Sequence, residues 1–188
     1  MFDFTDFKSN FTGDLVTPAD PDYLVSIARW AANAQRRPKF VAFVLTPSDV
    51  ALAIAFALAN QLPIAIRGGG HNPAGTSSIE GGVVIDLSRH LNHAKVDPEQ
   101  KIAYVGGGAL WETVDKEAIK HGLATVTGTV NHVSPVSILD ETCSDLDDRQ
   151  VLEGSFSFVS SRLSHCCRDQ LDFGGRLWLA DRKARPCH

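Results

Sequence analysis

The sequence predicts an α+β fold, a small mixed or parallel sheet carrying helices, followed by an irregular C-terminal tail. Three observations predict it. Apolar strands and a helix alternate between Phe40 and Arg67, a glycine-rich loop then separates two apolar strands, and the local signals stop agreeing after Val133.

The elements follow in order. Residues 1–19 are set apart as an N-terminal arm. Residues 20–33 place Leu24, Ile27, Ala28 and Ala31 at helical spacing and predict an amphipathic helix, which Arg36-Arg37-Pro38 ends. Phe40–Leu45 is mostly apolar on both faces and predicts a buried strand. Thr46-Pro47-Ser48-Asp49 combines a hydroxyl N-cap, a proline in the first turn and an acid three residues after the cap. It predicts a helix over 47–60 with Val50, Ile54, Ala57 and Leu58 on its apolar face. Pro63–Ile66 and Val83–Leu87 are the next strands. Asn92–Asp97 and Lys101–Val105 predict a hairpin turning at Pro98-Glu99. Gly106-Gly107-Gly108 leads into a helix from Ala109 to His121, apolar at Leu110, Val114, Ala118 and Ile119 and stopped by Gly122. Leu123–Thr127 is a last short strand.

Composition narrows the function classes. With 44% hydrophobic and 21% charged residues the chain has the make-up of a soluble globular protein, and 188 residues suffice for one domain or one large lobe. A net charge of −4 gives no reason to expect a nucleic-acid partner. No apolar run reaches transmembrane length, so no membrane partner is expected. Met1–Phe7 carries acids where a signal peptide carries cations, so the expected location is cytoplasmic. Cys143, Cys166, Cys167 and Cys187 all follow Val133 and form neither a C-x-x-C pair nor a secreted disulfide framework, so no metal site is expected.

The chemistry is concentrated in Arg67-Gly68-Gly69-Gly70-His71-Asn72-Pro73-Ala74-Gly75. Adjacent glycines let a backbone approach a ligand closely with N–H groups directed at an anion. Arg67 adds a forked cation suited to phosphate, against the plainer reading of a surface ion pair. His71 adds a nucleophilic ring nitrogen, against the plainer reading of a loop cap or a phosphate donor. The pattern is that of a pyrophosphate cradle with an attachment point beside it. The dinucleotide fingerprint G-x-G-x-x-G is not met, because Pro73 stands at its last glycine. Gly106–Gly108 is read as a strand–helix turn before a phosphate site. Asp86 is read as capping the turn after its strand before contacting a cofactor, and His90, His93 and His121 as solvent-facing or helix-end histidines.

Six segments together resemble one family in order and spacing. They are Arg36-Arg37-Pro38, Thr46-Pro47-Ser48-Asp49-Val50, Arg67-Gly-Gly-Gly-His71-Asn72, Gly82-Val-Val-Ile-Asp86-Leu87-Ser88, Gly106-Gly-Gly-Ala-Leu-Trp111 and Gly128-Thr129-Val130-Asn131-His132. Residues 20–133 resemble the N-terminal part of the FAD-binding domain of covalent flavoprotein oxidases. This is the vanillyl-alcohol-oxidase or PCMH type, within its berberine-bridge-enzyme-like and 6-hydroxynicotine-oxidase-like group. The resemblance implies a small sheet with helices plus part of a second sheet. It implies FAD carried by His71 through the flavin 8α-methyl group, with the pyrophosphate held by the loop from Arg67 to Asn72 and Gly75. Gly128, Thr129 and His132 are implied near the flavin, a loop role standing beside it for Asn131 and His132. Relatives that attach flavin a second time use a cysteine where Val130 stands here, so a single link is expected. The implied activity is oxidation of an alcohol, amine or sugar C–H, with O2 as acceptor and a small molecule as substrate. The catalytic base, the substrate and the oligomeric state are not indicated.

After Val133 the family continues with a glycine-rich segment of the form GVGGLTLGGG-(Y/F)-GW, where this chain has Ser134-Pro135. Residues 134–188 show no sustained period and are expected to be largely irregular. With suitable codons a one-base shift turns Arg176–His188 into GYGWLTGKHGLVI and Asp172–Gly175 into TLGGG. The single tryptophan codon makes the glycine at Trp178 obligatory. Val133-Ser134 can be encoded as a splice donor. The hypothesis is a retained intron over 134–167 and an out-of-frame exon over 168–188. On it the chain is a truncated fragment, either without catalysis or a flavin- or nucleotide-binding module without chemistry. Spliced cDNA across this junction is expected to read on into the glycine-rich segment; an abundant transcript encoding this tail would refute it.

Overall fold

A computed structural model describes residues 3–125 and 130–135, and the backbone of 171–172, 176–178 and 180–181. The chain divides into two units, Met1–Leu91 and Asn92–His188.

In the first unit the chain runs α1 (Phe4–Asn10), β1 (Asp14–Val16), α2 (Tyr23–Ser26), a 3-10 turn (Ala32–Ala34), β2 (Phe40–Phe43), α3 (Pro47–Ala59), β3 (Ile64–Arg67) and β4 (Val83–Asp86). One sheet has the order β1-β2-β4-β3. The last three strands are parallel, with Phe40 and Ile64 both opposite Val83 and Phe43 and Arg67 both opposite Asp86. β1 joins β2 antiparallel. The central strands are buried throughout and, apart from Asp86, apolar, because both faces are covered. Phe40, Ala42, Val83 and Ile85 pack with Phe7 of α1 and Ala53, Phe56 and Ala57 of α3, while Val41, Phe43 and Val84 pack with Val16, Tyr23 and Ile27. The N-terminal stretch is built into this core. Phe7 is fully buried, and its ring lies 4.6 Å from that of Phe56.

α3 begins as its sequence requires. Thr46 and Asp49 form a reciprocal capping box with Pro47 in the first turn. Asp49 is itself buried and accepts from the amides of Thr12, Leu45 and Thr46. Burial pushes its carboxyl up, but these hydrogen bonds outweigh burial and hold it below the usual carboxylate range. The buried face of α3 is Ala53, Phe56 and Ala57; Val50 and Ile54 are partly buried, and Leu58, expected inside, is 68% exposed.

The expected helix over 20–33 is a correction. Only Tyr23–Ser26 is α-helical, with a 3-10 turn at Ala32–Ala34; Tyr23 and Ile27 point inward, and Leu24 and Val25 are exposed. The α-helix ends at Ile27; beyond it the Trp30 amide bonds to the glycine loop, as set out below, and the Ala34 amide closes a 3-10 turn on Ala31. Gly82 shows a second local constraint. A Cβ there would lie 2.2 Å from the Pro63 carbonyl oxygen, which itself accepts from the amide of Val83, so only glycine lets β4 start beside β3.

In the second unit β5 (Ala94–Asp97) and β6 (Ile102–Val105) form the expected hairpin. The Asp97 carboxylate accepts from the amides of Glu99 and Gln100 in its turn. α4 (Trp111–Ile119) lays Trp111, Val114 and Ala118 on Val96, Ala103 and Leu123, and Ile119, expected on that face, is exposed. β7 (Leu123–Ala124) follows. Leu110 cannot cap α4, and backbone carbonyls take its place. Trp111 N–H donates to Val133 and Glu112 N–H to Asn131. Three tail segments, β8 (Leu171–Asp172), β9 (Arg176–Trp178) and β10 (Ala180–Asp181), are short strands in a region expected to be largely irregular. β9 pairs with β6 and with β8, and β10 pairs with β7.

Candidate functional site

Parallel neighbours β3 and β4 require the chain to return from one end of the sheet to the other, a crossover that a helix usually makes. Here residues 68–82 make it without helix or strand. A connection of this length without secondary structure in a compact unit is commonly a binding loop. It leaves β3 at the edge where parallel strands end, the place at which open α/β sheets take ligands.

That edge is organised by Arg67 and Asp86, which face each other in the ladder. Asp86 is fully buried. One of its carboxylate oxygens accepts from the amide and hydroxyl of Ser88 at 2.8 and 2.6 Å, the turn-capping role its sequence position indicates. The other accepts from Arg67 Nη1 at 3.0 Å. Arg67 Nη1 also donates to the Ser26 carbonyl at 3.0 Å. Arg67 is therefore a largely buried, anchored cation and not the surface ion pair that was its plainer reading.

The loop is fastened on two sides. At its front, Trp30 N–H donates to the Gly70 carbonyl, and Arg29 donates through Nε and Nη2 to the Ser77 carbonyl at 3.1 and 2.7 Å. On its return, the amide of Arg36 donates to Ser78 Oγ, that of Arg37 to the Glu80 carboxylate, and that of Lys39 to the Gly82 carbonyl. The Arg36-Arg37-Pro38 motif thus acts through its backbone. Within the loop the Asn72 side-chain oxygen accepts from the amide of Ala74 at 2.7 Å, and the amide of Gly75 donates to the Asn72 carbonyl. The imidazole of His71 stacks on the indole of Trp30, with centroids 4.4 Å apart and planes 18° from parallel.

Three observations fit this loop to an anionic group. Arg67 Nε is buried with no hydrogen-bond partner among the described residues. Gly70 has φ +70°, and a Cβ there would lie 3.0 Å from that same Nε and 3.3 Å from the Arg29 side chain, so glycine keeps the backbone against both cations. Asp86 faces two guanidinium groups. Burial, then the Arg67 charge, pulls Arg29 down to about 10 against the opposing pull of Asp86. The loop therefore carries a positive surplus at the strand ends.

The structure gathers Arg67, Gly68, Gly69, Gly70, His71, Asn72 and Gly75 into this one loop. Gly128 and Thr129 lie outside the described residues. His132 belongs to the second unit and is exposed, with Nδ1 3.4 Å from the Asn131 side-chain oxygen. The sequence reading missed Ser26, Arg29, Trp30 and Ser77, for no sequence spacing links them to the loop they hold. Among the described residues no three His, Cys, Asp or Glu side chains gather as metal ligands, and no helix is long and apolar enough to cross a membrane.

Residues 38–138, just over half of the chain, match the FAD binding domain family. The (R)-6-hydroxynicotine oxidase of Paenarthrobacter nicotinovorans is 38% identical over 116 residues, 62% of this chain and 25% of the relative. An uncharacterised FAD-linked oxidoreductase of Bacillus subtilis is 32% identical over 126 residues, 67% of this chain and 28% of the relative. The chain thus spans about a quarter of the length of these relatives. The crystal structure of 6-hydroxy-D-nicotine oxidase from Arthrobacter nicotinovorans superposes with a TM-score of 0.64 at 36% identity, over 66% of this chain and 27% of that one. The xylooligosaccharide oxidase of Myceliophthora thermophila shares the fold, with a TM-score of 0.62 at 20% identity over 69% of this chain and 28% of that one.

Proposed function

The chain belongs to the FAD binding domain family, and from that premise we propose that it is the flavin-holding lobe of an FAD-dependent oxidase whose cofactor is carried covalently by His71. The matched part is 27% of one solved oxidase and 28% of the other, so the activity proposed is that of a whole enzyme, of which these residues supply the cofactor side. The observation that carries the reading is the helix-free loop at the parallel strand ends, where a buried, unsatisfied Arg67 Nε and a stacked imidazole lie within one short glycine-rich stretch.

In this reading Arg67 and the backbone of Gly68–Gly70 bind the diphosphate, Asp86 holds Arg67 in place, and Asn72 and Gly75 shape the turn beyond His71. His71 is the point of attachment. Its ring would offer a nitrogen nucleophile to the flavin 8α-carbon; the link would replace one N–H and one C–H bond, with O2 as the oxidant that leaves as H2O2. A bound flavin would supply the redox chemistry, oxidation of an alcohol, amine or sugar C–H with O2 as acceptor. Gly128, Thr129 and His132 are assigned to the flavin's surroundings by family resemblance.

What the described residues supply is cofactor binding, which favours a second reading of the chain by itself, an FAD-binding module without turnover. Gel filtration of the purified chain with added FAD tests the shared premise. Flavin absorbance is expected to travel with the protein at a stoichiometry near one, and elution of all flavin at the small-molecule volume would refute it. Peroxide formation with candidate substrates then separates enzyme from module.

A further inference from the structure

Trp30 is a large aromatic residue left 64% exposed, yet it is not loose. Its amide donates to the Gly70 carbonyl, one residue before His71, and its indole lies flat against the imidazole at 4.4 Å. The terminal torsion of a histidine is broad, with no sharp staggered minimum to fix the ring plane. The indole covers one face of the ring and so restricts that torsion, and because the ring nitrogens react through lone pairs in the ring plane, fixing the plane fixes their direction.

We propose that Trp30 is a positioning residue for His71, setting the imidazole plane so that a ring nitrogen meets the flavin carbon in line; this rests on the reading of His71 as the flavin carrier. Bond formation needs reacting atoms about 3–3.5 Å apart and aligned, and an error near 1 Å costs about 100-fold in rate. Trp30 therefore acts on attachment and not on cofactor affinity, which depends on Arg67 and the loop backbone. The side chain can be removed without losing the loop's fastening, because the bond to Gly70 is made by the Trp30 backbone and the bonds to Ser77 by Arg29.

The test compares the wild-type chain, Trp30→Ala and Trp30→Phe. Each is incubated with FAD and O2, total bound flavin is measured by equilibrium dialysis, and covalent adduct is followed by intact mass. In the cofactor-free chain the His71 ring protons are followed by NMR. Trp30→Ala is expected to bind FAD within about 3-fold of wild type while attaching it about 10–100-fold more slowly, with Trp30→Phe restoring most of the rate. Its His71 ring protons are expected to shift as the indole ring current is lost. Equal attachment rates in wild type and Trp30→Ala, or unchanged ring protons, would overturn the role of Trp30 and leave the flavin reading intact. Binding and attachment falling together without rescue by Phe would reduce Trp30 to a structural role and also overturn it. An absence of adduct on the wild-type chain would overturn the flavin reading, and this role with it.

Discussion

Replacing His71 with alanine is expected to abolish the covalent adduct completely while leaving dissociable FAD bound. Of the side chains between Arg67 and Gly75, histidine is the type whose neutral, nucleophilic form is available near neutral pH. A guanidinium and the Asn72 amide are both poor nucleophiles. The diphosphate contacts assigned to Arg67 and the loop backbone do not depend on the imidazole, so affinity should change far less than attachment. After acid precipitation the flavin of His71→Ala should lie wholly in the supernatant. An adduct that persists in this variant would place the link on another residue.

The second large effect is on stability. Asp86→Ala removes a fully buried carboxylate that serves Arg67 and both donors of Ser88. Breaking one side of a buried ion pair leaves the other charge uncompensated, at a cost of about 3–5 kcal/mol. In a domain of this size that lowers Tm by roughly 10 °C. Arg67→Met in the same background should recover part of the loss, because the uncompensated cation goes with it. Thermal unfolding of the two single variants and the double variant measures both quantities. A loss below 1 kcal/mol for Asp86→Ala, or strictly additive losses, would show that the pair does not organise this edge.

Much of the first unit was legible because local and tertiary demands agree there. Phe40–Leu45 read as a buried strand and Val83–Leu87 as an apolar one, and the strands formed, Phe40–Phe43 and Val83–Asp86, are buried at every position; Thr46 and Asp49 read as a capping box and form one. The reading failed where distant partners decide the backbone. Residues 20–33 have helical periodicity, but beyond Ile27 the Trp30 N–H bonds to Gly70 in place of a helix carbonyl, and the Arg29 guanidinium ties the same segment to Ser77. In α3 and α4 the helices were found but the faces were rotated. Phe56 and Trp111 fill the space facing their sheets, and Leu58 and Ile119 turn out to solvent. In the candidate site, Arg67, the glycines and His71 could be read directly. The pairing of Arg67 with Asp86 follows only from the register of β3 on β4, and the stacking of Trp30 on His71 only from the path of the chain.

The central claim is that His71 carries the flavin. The direct measurement is the intact mass and visible spectrum of the purified chain, incubated with FAD in air and then denatured in acid. The account predicts a yellow polypeptide heavier by one FAD less two hydrogens, the increment mapping to the peptide that contains His71. A colourless polypeptide at its bare mass, with all flavin in the supernatant, would contradict it.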